Sequence, residues 1–265
     1  MITAAGNPKI KNLMNLMKKS KARKEQGLFV AEGLKMFLEA EEDRLVEVYV
    51  SNTFFASREK GGEIRKRLSA CNTEILSDAL FAKVSDTQTP QGILCVIRQY
   101  HYTREELLKG RNPLLLLIED IQDPGNLGTM LRSAEGAGVD GVIMSKGTVD
   151  IYNPKTIRST MGSVYRVPFL YTEEMGEMVD WLKEKGVAVY AAHLQGERAY
   201  DEENFRGSTA FLIGNEARGL REETAGAATR LMKIPMKGKV ESLNAGVAAS
   251  ILLYEAARQR RTKIL

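Results

Sequence analysis

The sequence predicts an α/β protein built of two units, and three observations carry that prediction. Short runs rich in valine, isoleucine and leucine alternate with helical stretches along nearly the whole chain. A polar stretch at 99–113, carrying His101, Tyr102, Thr103, Arg104 and Lys109, has no clear period of burial and separates two such series. Beyond it Leu114–Ile118 is an unbroken apolar run, the pattern of a strand covered on both faces in a parallel sheet.

The first unit, 1–98, opens with a basic block: Lys9, Lys11, Lys18, Lys19, Lys21, Arg23 and Lys24 all precede the first acid, Glu25. A solvated helix face and a polyanion-binding face both fit it, and the lack of compensating acids brings the second level with the first. After residues 28–30 come a helix at 32–40, a strand at 45–50 and a charged helix at 63–68. A short strand at 73–76, a helix after Ser77 and an apolar strand at 93–97, entered through Pro90 and Gly92, complete the unit. In the second unit, 114–265, a turn at Gly125 leads into a helix at 126–137. Strands are expected at 141–144, 187–191, 210–213 and 231–234, with helices between them and a long helix at 245–260. The alternation predicts a parallel sheet with helices on both faces.

Composition removes several classes. With 265 residues, 43% hydrophobic and 27% charged, the chain matches globular averages rather than disordered, collagenous or disulfide-rich ones. Its longest apolar run is far short of the roughly 18 residues of a membrane helix, and no secretion signal is read, so a cytoplasmic location is expected. Cys71 and Cys95 lie far apart with no metal-ligand spacing, so no metal is expected. Neither GxGxxG nor a GxxxxGK[ST] phosphate loop is present, and His101 and His193 are the only histidines available to a triad.

In a parallel sheet the ligand crevice lies beyond the carboxyl ends of the strands, so loops leaving strands draw attention. Residues 123–128, Asp-Pro-Gly-Asn-Leu-Gly, open a helix that Asn126 can cap and that carries Arg132 and Glu135 among small residues. Residues 214–220, Gly-Asn-Glu-Ala-Arg-Gly-Leu, bracket an Asn-Glu pair between glycines that allow close backbone approach. Residues 234–244 run through Pro235, Met236 and Ser242-Leu243-Asn244 into a helix that starts with small residues. Each loop alone is explained by turn formation and helix capping.

Together, Asn126-x-Gly128-x-x-x-Arg132, Gly214-Asn215-Glu216-x-x-Gly219-Leu220 and Ile234-Pro235-Met236 leading to Ser242-Leu243-Asn244 resemble the three ordered motifs of the SpoU (TrmH-like) family of RNA ribose 2′-O-methyltransferases, in the SPOUT superfamily. Residues 158–163 resemble that family's connecting segment. Phe29-Val30-Ala31-Glu32-Gly33 and Thr89-Pro90-Gln91-Gly92 resemble the N-terminal RNA-substrate-binding domain of many members. Ala217 stands where a glycine is common, and Ala245-Gly246 where larger residues are common.

The resemblance implies a small ribosomal-protein-like α/β domain at 1–98, a linker at 99–113 and a methyltransferase domain at 114–265. That second domain is expected to hold a deep C-terminal trefoil knot, which pattern reasoning alone would have rejected, and to form a homodimer. The implied cofactor is S-adenosylmethionine, with Leu194, Gln195, Gly196, Gly214, Asn215, Gly219, Ile234, Met236, Ser242, Leu243 and Asn244 around it. Asn126, Arg132, Glu216, Ser242 and Asn244 are the implied catalytic set. RNA contact falls to Lys9, Lys11, Lys18, Lys19, Lys21, Arg23 and Arg132. Ribosomal RNA is the expected substrate, with a tRNA 2′-O-methyltransferase and a non-catalytic RNA binder as alternatives. An arginine stays protonated, so Arg132 is read as a phosphate ligand and alkoxide stabiliser, with a role as base left open.

Overall fold

The structure, a computed structural model, describes residues 1–57 and 61–261. The chain falls into two units, Met1–Tyr100 with Asp150–Tyr165, and His101–Val149 with Arg166–Leu265.

In the first unit Asn7 accepts a hydrogen bond from the Lys9 amide and Pro8 occupies the first turn, which starts α1 (Pro8–Lys18). Ile10, Leu13 and Leu16 recur at helical spacing on its buried face. The next helix, α2 (Ser20–Gln26), stops at Gly27 in the left-handed conformation. Then follow β1 (Leu28–Glu32), α3 (Leu34–Glu39), β2 (Leu45–Ser51), α4 (Asn52–Ala56), α5 (Gly62–Ala70), β3 (Thr73–Leu76), α6 (Asp78–Val84) and β4 (Ile93–Arg98). The sheet order is β1-β4-β2-β3, antiparallel except for the parallel pair β2–β3. Val30, Tyr49, Leu94 and Val96 of the sheet pack on Leu13, Leu16, Leu80 and Phe81 of the helices. The helix expected from residue 32 begins at Leu34, because Glu32 ends β1 and Gly33 turns the chain at φ 109°.

Arg23 corrects an expectation. It is 3% exposed, donates to the carbonyls of Leu16 and Met17, and reaches Asp150 Oδ2 through Nε at 2.9 Å and Nη2 at 2.7 Å. A guanidinium so enclosed is paired inside the protein and is not offered to RNA. Asp150 opens a segment that returns to this unit and carries helix α8 (Pro154–Thr160), which packs on β1. There the Tyr152 hydroxyl accepts from the Tyr100 amide at 2.7 Å, and its ring lies 4.6 Å from that of Phe29.

The second unit supplies β5 (Leu114–Ile118), α7 (Pro124–Ala137), β6 (Gly141–Ser145), β7 (Phe169–Thr172), α9 (Met175–Glu184), β8 (Ala188–Ala192), β9 (Arg198–Ala199), β10 (Thr209–Ile213), α10 (Glu222–Ala227), β11 (Arg230–Lys233) and α11 (Ala245–Arg261). Its sheet runs β7-β6-β5-β10-β8-β11-β9, and every neighbouring pair is parallel. The central strands β5 and β10 are buried along their whole length, as their apolar runs demand. Strand β7, at the sheet edge with only Phe169 fully buried, was not expected. The polar stretch after Tyr100 is no free connector: Leu107 is 1% exposed and lies against Gly141, and Tyr102 meets the Phe169 ring edge-on. At the far end Arg260 donates to the carbonyls of Phe205, Asn112 and Gly207, fastening the last turn of α11. Among the described residues no helix is long and apolar enough to cross a membrane.

Candidate active site

The loops leaving β5, β10 and β11 belong to one unit, and their side chains meet. Helix α7 is capped by Asp123, whose Oδ1 accepts the Asn126 amide at 2.7 Å, with Pro124 in the first turn. This corrects the expectation that Asn126 is the cap and leaves its side chain free for other partners. Asn126 Nδ2 donates to Glu216 Oε1 at 2.8 Å, and its Oδ1 accepts from Asn244 Nδ2 at 2.9 Å. Asn244 in turn caps α11 by accepting the amides of Gly246 and Val247. Three residues separated by 90 and 118 positions thus form one hydrogen-bonded chain.

Arg132 stands on α7 just under two turns from Asn126, exposed, and makes no hydrogen bond or ion pair among the described residues. Its neighbour Glu135 is paired with Arg166. An unpartnered guanidinium on the helix that carries this polar cluster can receive a phosphate or another oxyanion in two-pronged fashion. Ser242 is exposed and likewise makes no side-chain hydrogen bond among the described residues.

The 214–220 loop folds back on itself. The amides of Asn215 and Gly219 donate to each other's carbonyls at 3.0 and 2.9 Å, and Asn215 Oδ1 accepts the amides of Ala217 and Arg218. A Cβ on Gly214 would lie 2.4 Å from the Gly219 carbonyl carbon, so only glycine permits this crossing. Gly196 is equally confined, since its Cβ would lie 2.4 Å from the Met232 carbonyl carbon of β11. Because β10, β8 and β11 are sheet neighbours, residues 194–196, 214–215 and 234–236 leave the same edge of the sheet. Ile234, Met236 and Leu243 are half-buried there, and Leu194 is 70% exposed. Close backbone with apolar side chains suits a flat heteroaromatic ring and a sulfonium, so the residues present fit S-adenosylmethionine.

Sequence reasoning passed over Glu119 and Asp120, two acids at the carboxyl end of β5. Glu119 is 1% exposed and accepts from the Thr224 hydroxyl at 2.6 Å and the Arg221 amide at 2.8 Å. Asp120 binds Arg221 and holds its guanidinium still more firmly protonated, chiefly through their hydrogen bond. The available signal was two charges directly ending a wholly apolar strand, where a parallel sheet gathers its ligand loops.

Of the basic block, Lys11, Lys18, Lys19 and Lys21 are exposed. Lys9 lies between Glu74 at 2.6 Å and Glu47 at 3.1 Å, and hydrogen bonds to Glu74 and then Glu47 raise its ammonium above the ordinary lysine range.

Residues 113–254 match the SpoU rRNA Methylase family, and residues 7–95 match the MRM3-like substrate binding domain. The Bacillus subtilis 23S rRNA (guanosine(2553)-2′-O)-methyltransferase RlmP is 41% identical over 180 residues, 68% of this chain and 70% of its own length. The 23S rRNA (guanosine-2′-O-)-methyltransferase RlmB of Coxiella burnetii is 31% identical over 91% of this chain and 97% of its own. A crystal structure of an AdoMet-bound rRNA methyltransferase from Sinorhizobium meliloti superposes with a TM-score of 0.85 at 28% identity, covering 98% of each chain.

Proposed function

The chain belongs to the SpoU rRNA methylase family, and on that premise we propose that it methylates a ribose 2′-hydroxyl of ribosomal RNA with S-adenosylmethionine. The observation that carries the reading is the Glu216–Asn126–Asn244 chain, which ties the three motif loops together at the start of α7, the helix that also carries an Arg132 with no protein partner among the described residues.

The cofactor, when bound, supplies an electrophilic methyl carbon attached to a sulfonium. Backbone of Leu194, Gln195, Gly196, Gly214, Asn215 and Gly219, with Ile234, Met236, Ser242, Leu243 and Asn244, would hold it. Asn126 and Glu216 fix the loops from which Arg132 and the ribose are oriented. Arg132 grips the phosphate beside the target ribose through two N–H groups and offsets the negative charge that grows on the 2′-oxygen. It acts there as an electrostatic partner, and the 2′-hydroxyl proton passes to water as the oxygen is methylated. Holding the hydroxyl in line is worth several kcal/mol, since effective molarities of roughly 10⁵ M and above attend well-oriented reactants.

In this reading residues 1–98 bind the RNA and 114–265 deliver the methyl group. Lys11, Lys18, Lys19 and Lys21 remain as the phosphate-facing cations of the first unit. Two molecules pair through α11, where Val247 and Tyr254, seven residues apart, leave apolar surface 46% and 51% exposed. A C-terminal knot is compatible with the sheet order, in which β11 enters between the earlier strands β8 and β9. The work is done in the cytoplasm, where ribosomal RNA is made in bacteria such as those of the relatives.

The test is incubation with methyl-labelled S-adenosylmethionine and separate pools of unmodified ribosomal RNA, transfer RNA and ribosomal subunits. Label in ribosomal RNA or subunits is expected. Label confined to transfer RNA overturns the substrate, and cofactor binding without label in any pool leaves an RNA-binding protein that retains the fold.

A further inference from the structure

We propose that Asp120 is a positioning residue for the 214–220 loop and thereby for S-adenosylmethionine binding, an inference that rests on the function proposed above. Asp120 is one of two non-glycine residues with positive φ among the described residues, at 55°. The left-handed region disfavours residues with a Cβ, aspartate and asparagine less than most, and the conformation is held where its surroundings fix it.

Here the enforcement is explicit. The Asp120 amide donates to Ser145 Oγ at 2.8 Å, and the same hydroxyl donates back to Asp120 Oδ1 at 2.8 Å. Arg221 Nη2 donates to Oδ2 at 2.6 Å. The Asp120 carbonyl accepts from Asn215 Nδ2 at 2.7 Å and from Gln122 Nε2 at 2.9 Å. In this conformation one residue turns its amide to the end of β6, its carbonyl to the start of the 214–220 loop and its carboxylate to the residue just past that loop's end.

Two neighbouring features fit the same purpose. A Cβ on Gly147 would lie 2.1 Å from Asp120 Oδ1, so the turn after β6 leaves room for this carboxylate only because residue 147 is glycine. Glu119, next in the chain and buried, holds the Arg221 amide and the Thr224 hydroxyl. The two consecutive acids that follow β5 therefore grip the loop at both ends, through Asn215 on one side and Arg221 with Thr224 on the other. Between those anchors lie Glu216, which holds Asn126, and Gly219, whose carbonyl pairs with the Asn215 amide. A loop fixed in this way meets its ligand already ordered, and loosening it weakens binding without removing a contact.

Asp120→Ala, Asp120→Asn, Ser145→Ala and Arg221→Ala are compared with the unmodified protein by calorimetric titration with S-adenosylmethionine, filter binding of ribosomal RNA and near-ultraviolet circular dichroism. Loss of a charge-assisted hydrogen bond and its restraint predicts Asp120→Ala to weaken cofactor binding about tenfold or more. RNA affinity should stay within about twofold. Asparagine tolerates the left-handed region and keeps an acceptor for Ser145, so Asp120→Asn should recover most of the affinity. If Asp120→Ala fails to fold, Ser145→Ala and Arg221→Ala decide, each with a smaller loss in the same direction. Unchanged cofactor affinity in the folded variants, or equal loss of RNA and cofactor binding, overturns the proposal. An unmodified protein that gives no heat with S-adenosylmethionine removes the functional reading itself.

Discussion

Replacing Asn126 by alanine deletes the middle of the Glu216–Asn126–Asn244 chain while sparing the cap of α7, since Asp123 receives the Asn126 backbone amide. Two hydrogen bonds of 2.8 and 2.9 Å are lost. Each is worth about 0.5–1.5 kcal/mol net, and Glu216 and Asn244 are exposed enough for water to replace their lost partner. A stability loss of about 1–2 kcal/mol follows, which for a chain of this size lowers Tm by roughly 2–8 °C. The sharper expectation concerns coupling. In double-mutant cycles on kcat/KM, Asn126→Ala with Glu216→Ala and Asn126→Ala with Asn244→Ala should each show about 0.5–3 kcal/mol of non-additivity. Among the described residues Glu216 and Asn244 are joined by hydrogen bonds only through Asn126, so any coupling between them should vanish when Asn126 is alanine. Additivity within about 0.5 kcal/mol in all three pairs would refute the argument that this chain organises the loops.

Other expectations follow from the first unit. Arg23→Ala leaves Asp150 without its cation in a largely enclosed setting and should destabilise by about 3–5 kcal/mol, read by urea denaturation; a change below about 1 kcal/mol would show the pair to be dispensable. Lys18, Lys19 and Lys21 changed together to alanine should flatten the salt dependence of RNA binding by roughly 0.7–0.9 in log–log slope per lost phosphate contact, with cofactor affinity unchanged; an unaltered slope would take the basic block out of RNA contact. Asp78 accepts hydrogen bonds from the Thr53 amide and hydroxyl, which hold its carboxyl below the ordinary 3.8. Its contribution is present above that value and is lost as pH falls through the lower folded one, so Asp78→Asn should flatten the acid limb of thermal stability below about pH 4.

How much of this was legible follows from where each partner lies. Leu114–Ile118 and Thr209–Ile213 read correctly because a strand buried on both faces leaves a continuous apolar run. Phe169–Thr172 did not, since an edge strand with one fully buried residue leaves almost no period. Asp-Pro at 123–124 marks a cap followed by a first-turn proline, a signal stronger than the Asn126 preferred in its place. Arg23 looked like one more surface cation because its partner Asp150 lies 127 residues away. The motif loops could each be named from sequence, yet their meeting is a property of sheet order: β5 and β10 are neighbours although four strands separate them in the chain. Asp120 was hidden for another reason, since a backbone conformation leaves no mark on an aspartate.

The most direct test of the central claim is nucleoside analysis of ribosomal RNA after reaction with the unmodified protein and with Arg132→Lys. The account predicts a 2′-O-methylnucleoside from the unmodified protein. It predicts a loss of roughly 10²–10³ in kcat/KM for the lysine variant, at unchanged Tm, because Arg132 has no partner to lose among the described residues. Methyl groups on a base instead of the ribose, or full activity with lysine at 132, would contradict it.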